Sequence, residues 1–263
     1  MKERLKDKVA IVTGAARGNG KGIARAMAQE GAKVLLWDIL DLIEETARDI
    51  NSSGKRAVPF KVDITDIKRV NQTVQEIVGN FGRIDILVNN AAIAFFIPFV
   101  ETPDDLRDKI FDVNLKGPWN CTKAVIPIMM KQKYGKIVNI SSVTGPRVSA
   151  AGLTAYSATK GAISGFTRAL ALEVAEFGIN VNAILPGYVD TPMLRGAAKD
   201  LGIAEDEFVK MIAKSVPMKR LGTIDDIGDL AVFLASEESK YITGQEIVID
   251  GGNIIQEEKG AES

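Results

Sequence analysis

The stretch Val9–Asp38, VAIVTGAARGNGKGIARAMAQEGAKVLLWD, contains an apolar run, a glycine-rich turn, a helix-length segment and a second apolar run that ends on an acid. Gly14, Gly18 and Gly20 fall between the first run and the helix. Glycines there let the backbone approach a pyrophosphate, whose charge then rests on unpaired N–H groups at the helix start. A lone glycine cluster would serve any tight turn. With strand, helix, second strand and acid in order, the stretch reads as a dinucleotide site, with Asn19 inside the loop. Asp38 lies 18 residues beyond Gly20, close to the separation at which a carboxylate takes the adenosine ribose hydroxyls. A 2′-phosphate would meet that carboxylate unfavourably and Ile39 offers it no cation, so the expected cofactor is NAD rather than NADP. Arg17 argues the other way, unless it packs beside the adenine or faces solvent.

Outward from this unit the pattern repeats. Further short runs rich in Val and Ile occupy residues 57–63, 84–90, 135–142, 179–187 and 245–252. They are continuous rather than alternating, as in strands buried on both faces. Helix-length segments separate them at about residues 20–30, 41–53, 66–80, 103–131, 155–177 and 225–236. Such alternation predicts a mostly parallel sheet covered by helices on both sides. No linker divides the chain, so residues 1–263 are expected to form one domain. Residues 192–220 interrupt the rhythm with a polar, partly helical excursion, placed where a lid over the ligand edge would lie, and residues 254–263 read as a polar tail.

Composition narrows the function. A net charge of −1 gives no global positive field, so neither nucleic acid nor a membrane surface is an expected partner. The start, MKERLKDKVAIVTG, carries charges up to the first apolar run, and no 18-residue apolar stretch exists. A cytoplasmic location is the expectation. Cys121, the single cysteine, reads as a small buried hydrophobe. There are no histidines, which removes histidine triads and the usual zinc sites; no metal is expected.

Tyrosine, lysine and serine remain as candidates, and AYSATKGA (155–162) supplies the first two among small neighbours. Tyr156 and Lys160 are four apart, on one face of a helix. Ser142 ends the preceding strand, so all three belong to the sheet edge that carries the glycine loop. At an effective dielectric of about 20 and a separation near 4 Å, a lysine attracts a phenolate by on the order of 4 kcal/mol. Lowering a tyrosine pKa by two units takes roughly 3 kcal/mol. Tyr156 is therefore a candidate acid/base and Ser142 a donor to the substrate oxygen. Taken singly, Ser142 could be a strand-end cap, Tyr156 an aromatic at a subunit contact and Lys160 a solvated charge.

Over residues 6–252 the chain resembles the short-chain dehydrogenase/reductase family in its non-extended branch. The resemblance rests on TGAARGNG, VDIT, NNAA, VNLKG, YSATK, PGYVDT and IDGG, in that order. It implies a three-layer Rossmann fold with a single seven-stranded parallel sheet flanked by helices, and a catalytic set of Asn114, Ser142, Tyr156 and Lys160. By the same resemblance Lys160 also grips the nicotinamide ribose, and Asn114 holds a water linking Lys160 to solvent. Asp63 and Ile64 would lie at the adenine, Asn90 by the adenosine ribose, and Val189 and Thr191 at the carboxamide. The helices at 103–131 and 155–177 would pair subunits into a homotetramer. Three departures stand out: Asn19 where isoleucine is usual, Ala92 where the NNAG signature ends in glycine, and one extra residue between Ser142 and Tyr156, which leaves Ser141 as a rival for the serine role.

Expected pocket walls are Ala94, Phe95, Phe96, Thr144, Arg147, Leu153, Tyr188 and Met193, with parts of 194–215. The activity expected is NAD-dependent interconversion of a secondary alcohol and its ketone. Polyols, sugars, hydroxysteroids, short diketones and 3-oxoacyl thioesters are the classes the resemblance offers. The alternatives are an NADP-dependent 3-oxoacyl or carbonyl reductase and a non-catalytic dinucleotide-binding sensor or structural protein.

Overall fold

Successive residues of a strand point to opposite faces, and in this chain both faces are apolar. In the computed structural model, which describes residues 3–200 and 202–256, Ala10 and Val12 of β1 (Val9–Thr13) enter one core while Val9 and Ile11 enter the other. The same split runs through β2 (Lys33–Asp38), where Val34 and Leu36 face one side and Leu35 and Trp37 the other. This is why the runs read as continuous. With β3 (Arg56–Lys61), β4 (Ile86–Asn89), β5 (Gly135–Ile140), β6 (Ile179–Pro186) and β7 (Glu246–Ile249) they form one parallel seven-stranded sheet of order β3-β2-β1-β4-β5-β6-β7.

Helices α1 (Gly18–Gln29) and α2 (Ile43–Ser52) pack on the first face, and α3 (Ile67–Phe81) covers the second. The segment expected as one helix over 103–131 is three pieces: α4 (Asp104–Phe111), a π-helical turn (Asp112–Lys116) and α5 (Gly117–Gln132). The widened turn swings the chain so that Asn114 is buried while Cys121, Val125 and Met129 of α5 still reach the second core. Helix α6 (Thr154–Val174) packs on that same side.

The excursion is a pair of helices, α7 (Pro192–Asp200) and α8 (Glu205–Ser215), and it is less polar than its sequence suggests. Ala197, Ala198 and Phe208 form a small core of their own between the two. Arg195 fixes the pair to the sheet edge with two bonds to Asp190, at 2.7 and 2.9 Å. Helix α9 (Ile224–Ala235) returns to the first face, started by a capping box between Thr223 and Asp226. Most of the expected polar tail lies outside the described residues.

Crossovers leave β1 and β4 for opposite faces of the sheet, which opens a crevice at their C-terminal ends. At the other end Asp85, fully buried, accepts from the Val9 N–H at 2.9 Å and from the Arg83 guanidinium. Removing the carboxylate leaves a buried N–H unpaired, at about 2–3 kcal/mol. Asp85→Ala should therefore lower the thermal midpoint by roughly 5–10 °C, measured by circular dichroism, whereas Asp85→Asn, which keeps an acceptor, should recover part of that loss.

Candidate active site

The end of β1 must turn sharply beside β4, and two glycines make this possible. Gly14 has φ +65°, and a Cβ on it would lie 2.8 Å from Ala91 Cα. A Cβ on Gly20 would lie 2.0 Å from the Gly14 carbonyl oxygen, closer than any side chain allows. Asn90 clamps the turn, donating from Nδ2 to the carbonyls of Thr13 (2.9 Å) and Gly14 (3.1 Å). Its side chain thus holds the loop rather than pointing freely at a ribose. Arg17 is exposed at the start of α1 and caps nothing with its side chain. Asn19 Oδ1 is buried with no hydrogen-bond partner among the described residues.

A cavity of about 470 Å3 extends from this loop along the C-terminal edge of the sheet. Its lining includes Gly14, Arg17, Gly18, Asn19, Asp38, Ile39, Asp63, Ile64, Asn90, Val189 and Thr191 at the expected cofactor positions, and Ser142, Tyr156 and Lys160 at the expected catalytic ones. Gly20 supports the loop from behind and Asn114 lies beneath; neither faces the cavity. Asp38 is anchored by three backbone donors, Ala16 at 3.0 Å, Ile39 at 2.8 Å and Leu40 at 3.1 Å. Asp63 Oδ1 accepts from both the N–H and the hydroxyl of Thr65. A glycine cradle that a Cβ would fill, beside an anchored carboxylate, fits a dinucleotide with Asp38 at its adenosine ribose.

The two serines separate cleanly. Ser141 is buried and spends its hydroxyl proton on the Lys160 carbonyl at 2.9 Å. Ser142 accepts from the Thr144 N–H at 3.0 Å and lines the cavity with the Tyr156 hydroxyl, on which it acts electrostatically. Ser142 is therefore the one placed for chemistry.

Charge at the site is governed by burial. Burial raises the Tyr156 hydroxyl above its ordinary pKa, and Ser142 draws it back down. Lys160 is pushed down to about 8, also by burial. The expected lowering of Tyr156 by Lys160 does not emerge from this geometry. The ammonium donates to the Ile140 carbonyl at 2.8 Å and stands 5.6 Å from the tyrosine ring centre.

Asn114 is bound on both sides of its amide. Its Nδ2 donates to the Ile93 carbonyl (2.8 Å) and to Thr159 Oγ1 (3.3 Å), and its Oδ1 accepts from the Ile93 N–H (2.8 Å). Both amide protons are spent, so the side chain splints the loop after β4 to α6.

Among the pocket candidates, Ala94, Phe96, Thr144, Leu153, Tyr188 and Met193 line the cavity, while Phe95 and Arg147 do not. Arg147 is drawn away by Glu246 on β7 (3.0 Å), which also pairs with Arg168. Phe95, as exposed as Phe96, lies beside the lining without joining it. Sequence reasoning did not single out Lys109 and Val113, which line the cavity one helical turn apart. Their i, i+4 spacing, with Val113 next to Asn114, was the available signal. Leu194 and Ala197 of α7 lie within the expected excursion.

Such a crevice, with its glycine cradle and its Ser, Tyr and Lys side chains, defines a dinucleotide-dependent oxidoreductase of Rossmann type. The chain belongs to the short-chain dehydrogenase/reductase family, in its classical branch: a family profile described as enoyl-(acyl carrier protein) reductase matches residues 14–253. It is similar to the oxidoreductase UcpA of Salmonella typhimurium, at 46% identity over 255 residues covering 97% of each chain. It is also 44% identical over 255 residues to galactitol 2-dehydrogenase of Agrobacterium fabrum, covering 95% of this chain and 98% of that one. The crystal structure of levodione reductase matches with a TM-score of 0.92 at 30% identity, covering 96% of this chain and 99% of that one. The protein is an NAD(P)-dependent oxidoreductase of a small organic substrate. No described helix is long and apolar enough to cross a membrane.

Burial of Lys160 has a consequence for stability. Its pKa falls from 10.5 to about 8 on folding, so above pH 8 the unfolded chain binds the extra proton. Stability from this group rises with pH between about 8 and 10. Denaturant unfolding across that interval should show a steeper rise for the native protein than for Lys160→Met; parallel curves would contradict the assignment.

Proposed function

We propose that the protein interconverts a secondary alcohol and its ketone with NAD as the preferred dinucleotide and Tyr156 as the acid/base. The observation that carries this reading is that Ser142, Tyr156 and Lys160 line one cavity, which also holds the anchored Asp38 carboxylate. When bound, the dinucleotide supplies the hydride acceptor for oxidation or the donor for reduction. In oxidation Tyr156 would take the carbinol O–H proton on its phenolate oxygen and pass it on to solvent as the carbon gives up its hydride and becomes a ketone. Ser142 holds the substrate oxygen against Tyr156, and Lys160, held at the Ile140 carbonyl, keeps a positive charge in the same cavity. Asn114 acts as a positioning residue by fixing Ile93 and Thr159 around the site. Asp38 favours ribose hydroxyls over a 2′-phosphate by charge, and Val189 and Thr191 line the part of the cavity assigned to the carboxamide.

The experiment follows formation of reduced dinucleotide with a panel of secondary alcohols, using NAD and NADP in parallel. Tyr156→Phe should lower kcat by about 10²–10⁴-fold with dinucleotide binding retained. Asp38→Ala should erase the preference for NAD. A preference for NADP in the native protein would instead favour the carbonyl-reductase reading.

The same reading takes residues 1–263 as one domain, cytoplasmic, and assembled as a homotetramer. Support for assembly comes from an apolar ridge on α5 and α6, where Trp119 stacks on Phe166 with centres 5.5 Å apart and Leu172 is 84% exposed. Sedimentation equilibrium should give four times the chain mass, and Leu172→Glu should shift it to smaller species; a monomer at every concentration would refute the assembly.

A further inference from the structure

The catalytic part of the cavity has a chemistry of its own. Around the Ser142–Tyr156 pair the wall is built from Ala94, Phe96, Leu153, Met193, Leu194 and Ala197. Among the described residues its other hydroxyls are those of Thr144, Tyr188, Thr191 and Ser141, the last spent on the Lys160 carbonyl. Phe96 and Met193 keep 39% and 47% of their surface exposed at this wall, which is apolar area available to a ligand.

The arginines near this end are already paired. Arg147, the cation nearest in sequence to Ser142, is bound to Glu246 outside the cavity. Arg195, on the same helix as Met193 and Leu194, is held by Asp190 and flanked by Glu205 and Asp206. Lys160 spends a proton on the Ile140 carbonyl. The other cations lining the cavity among the described residues are Arg17 in the glycine loop and Lys109 on α4, a helix that packs against α6.

Resting on the proposed function, we infer that the substrate is an uncharged secondary alcohol or ketone on a cyclic or branched hydrocarbon skeleton, and not a polyol or a sugar acid. A polyol would press several hydroxyls against carbon, and each one left unpaired lowers affinity by about 10- to 100-fold. A hydrocarbon ring gives up nothing on entering and covers the exposed faces of Phe96 and Met193. The apolar side chains of α7 close the same wall, so the excursion serves as an apolar cover for the substrate.

Two measurements test this. In the first, kcat/KM with NAD is compared for substituted cyclohexanols, galactitol and gluconate; at least a 100-fold advantage for the cyclohexanols is expected. In the second, calorimetry follows binding of the corresponding cyclohexanone, and of galactitol, to Tyr156→Phe saturated with reduced dinucleotide. The ketone should bind and galactitol should not. Phe96→Ser, on a half-exposed loop, should weaken ketone binding about tenfold while leaving the dinucleotide Kd within twofold. Efficient turnover of galactitol or gluconate would overturn the inference and leave the alcohol-oxidation reading intact. Silence across the panel with reduced dinucleotide bound would count against that reading. Calorimetry would then decide the wall chemistry by itself, and failure of the ketone to bind would overturn it.

Discussion

Gly20 leaves only a hydrogen's room beside the Gly14 carbonyl, and Asn90 donates to that same carbonyl from the end of β4. This three-way contact sits where the sheet order switches, and the site is arranged around it. The close approach brings the first turn of α1 to the C-terminal edge of the sheet with its N–H groups directed along the crevice. It also fixes how far apart the ends of β1 and β4 stand, and so the width of the cavity that Asp38 and Tyr156 share. No residue with a side chain could replace Gly20 without moving the loop off β4.

Around that contact the protein commits its polar groups early. Asp38 takes three backbone N–H donors, Asn114 spends both amide protons on the loop after β4 and on α6, and Ser141 ties α6 to β5 through the Lys160 carbonyl. The groups left for chemistry are correspondingly few. Ser142, Tyr156 and Lys160 sit in a poorly solvated place, where burial acts in opposite senses on a phenol and an ammonium. Both shifts favour the neutral forms. A proton can then move between substrate oxygen and tyrosine with little reorganisation of charge.

The cavity's two ends are different environments. One is lined by the glycine loop and carboxylates and suits a charged, hydroxyl-rich ligand. The other is walled by carbon, with its neighbouring arginines already paired to Glu246 and Asp190. The division is carried by different elements: β1, β2 and the α1 start shape the first, while α7 and the loops after β4 and β5 shape the second. Changes in the loops and α7 can therefore alter substrate choice with little effect on the cradle.

The sequence by itself determined the seven strands, the face of α6 that carries Tyr156 and Lys160, and the glycine loop with its acid. All of these rest on short-range rules: continuous β-branched runs, a four-residue helical spacing and the unique tolerance of glycine. Only the tertiary structure decided between Ser141 and Ser142, because the choice depends on which hydroxyl meets the Lys160 carbonyl across nineteen residues. It likewise drew Arg147 out of the pocket, since its partner Glu246 lies on a strand 99 residues away. The π turn that buries Asn114 and the small core inside the excursion belong to the same class. Each arises from packing between segments distant in the chain, where local periodicity carries no information about the partner.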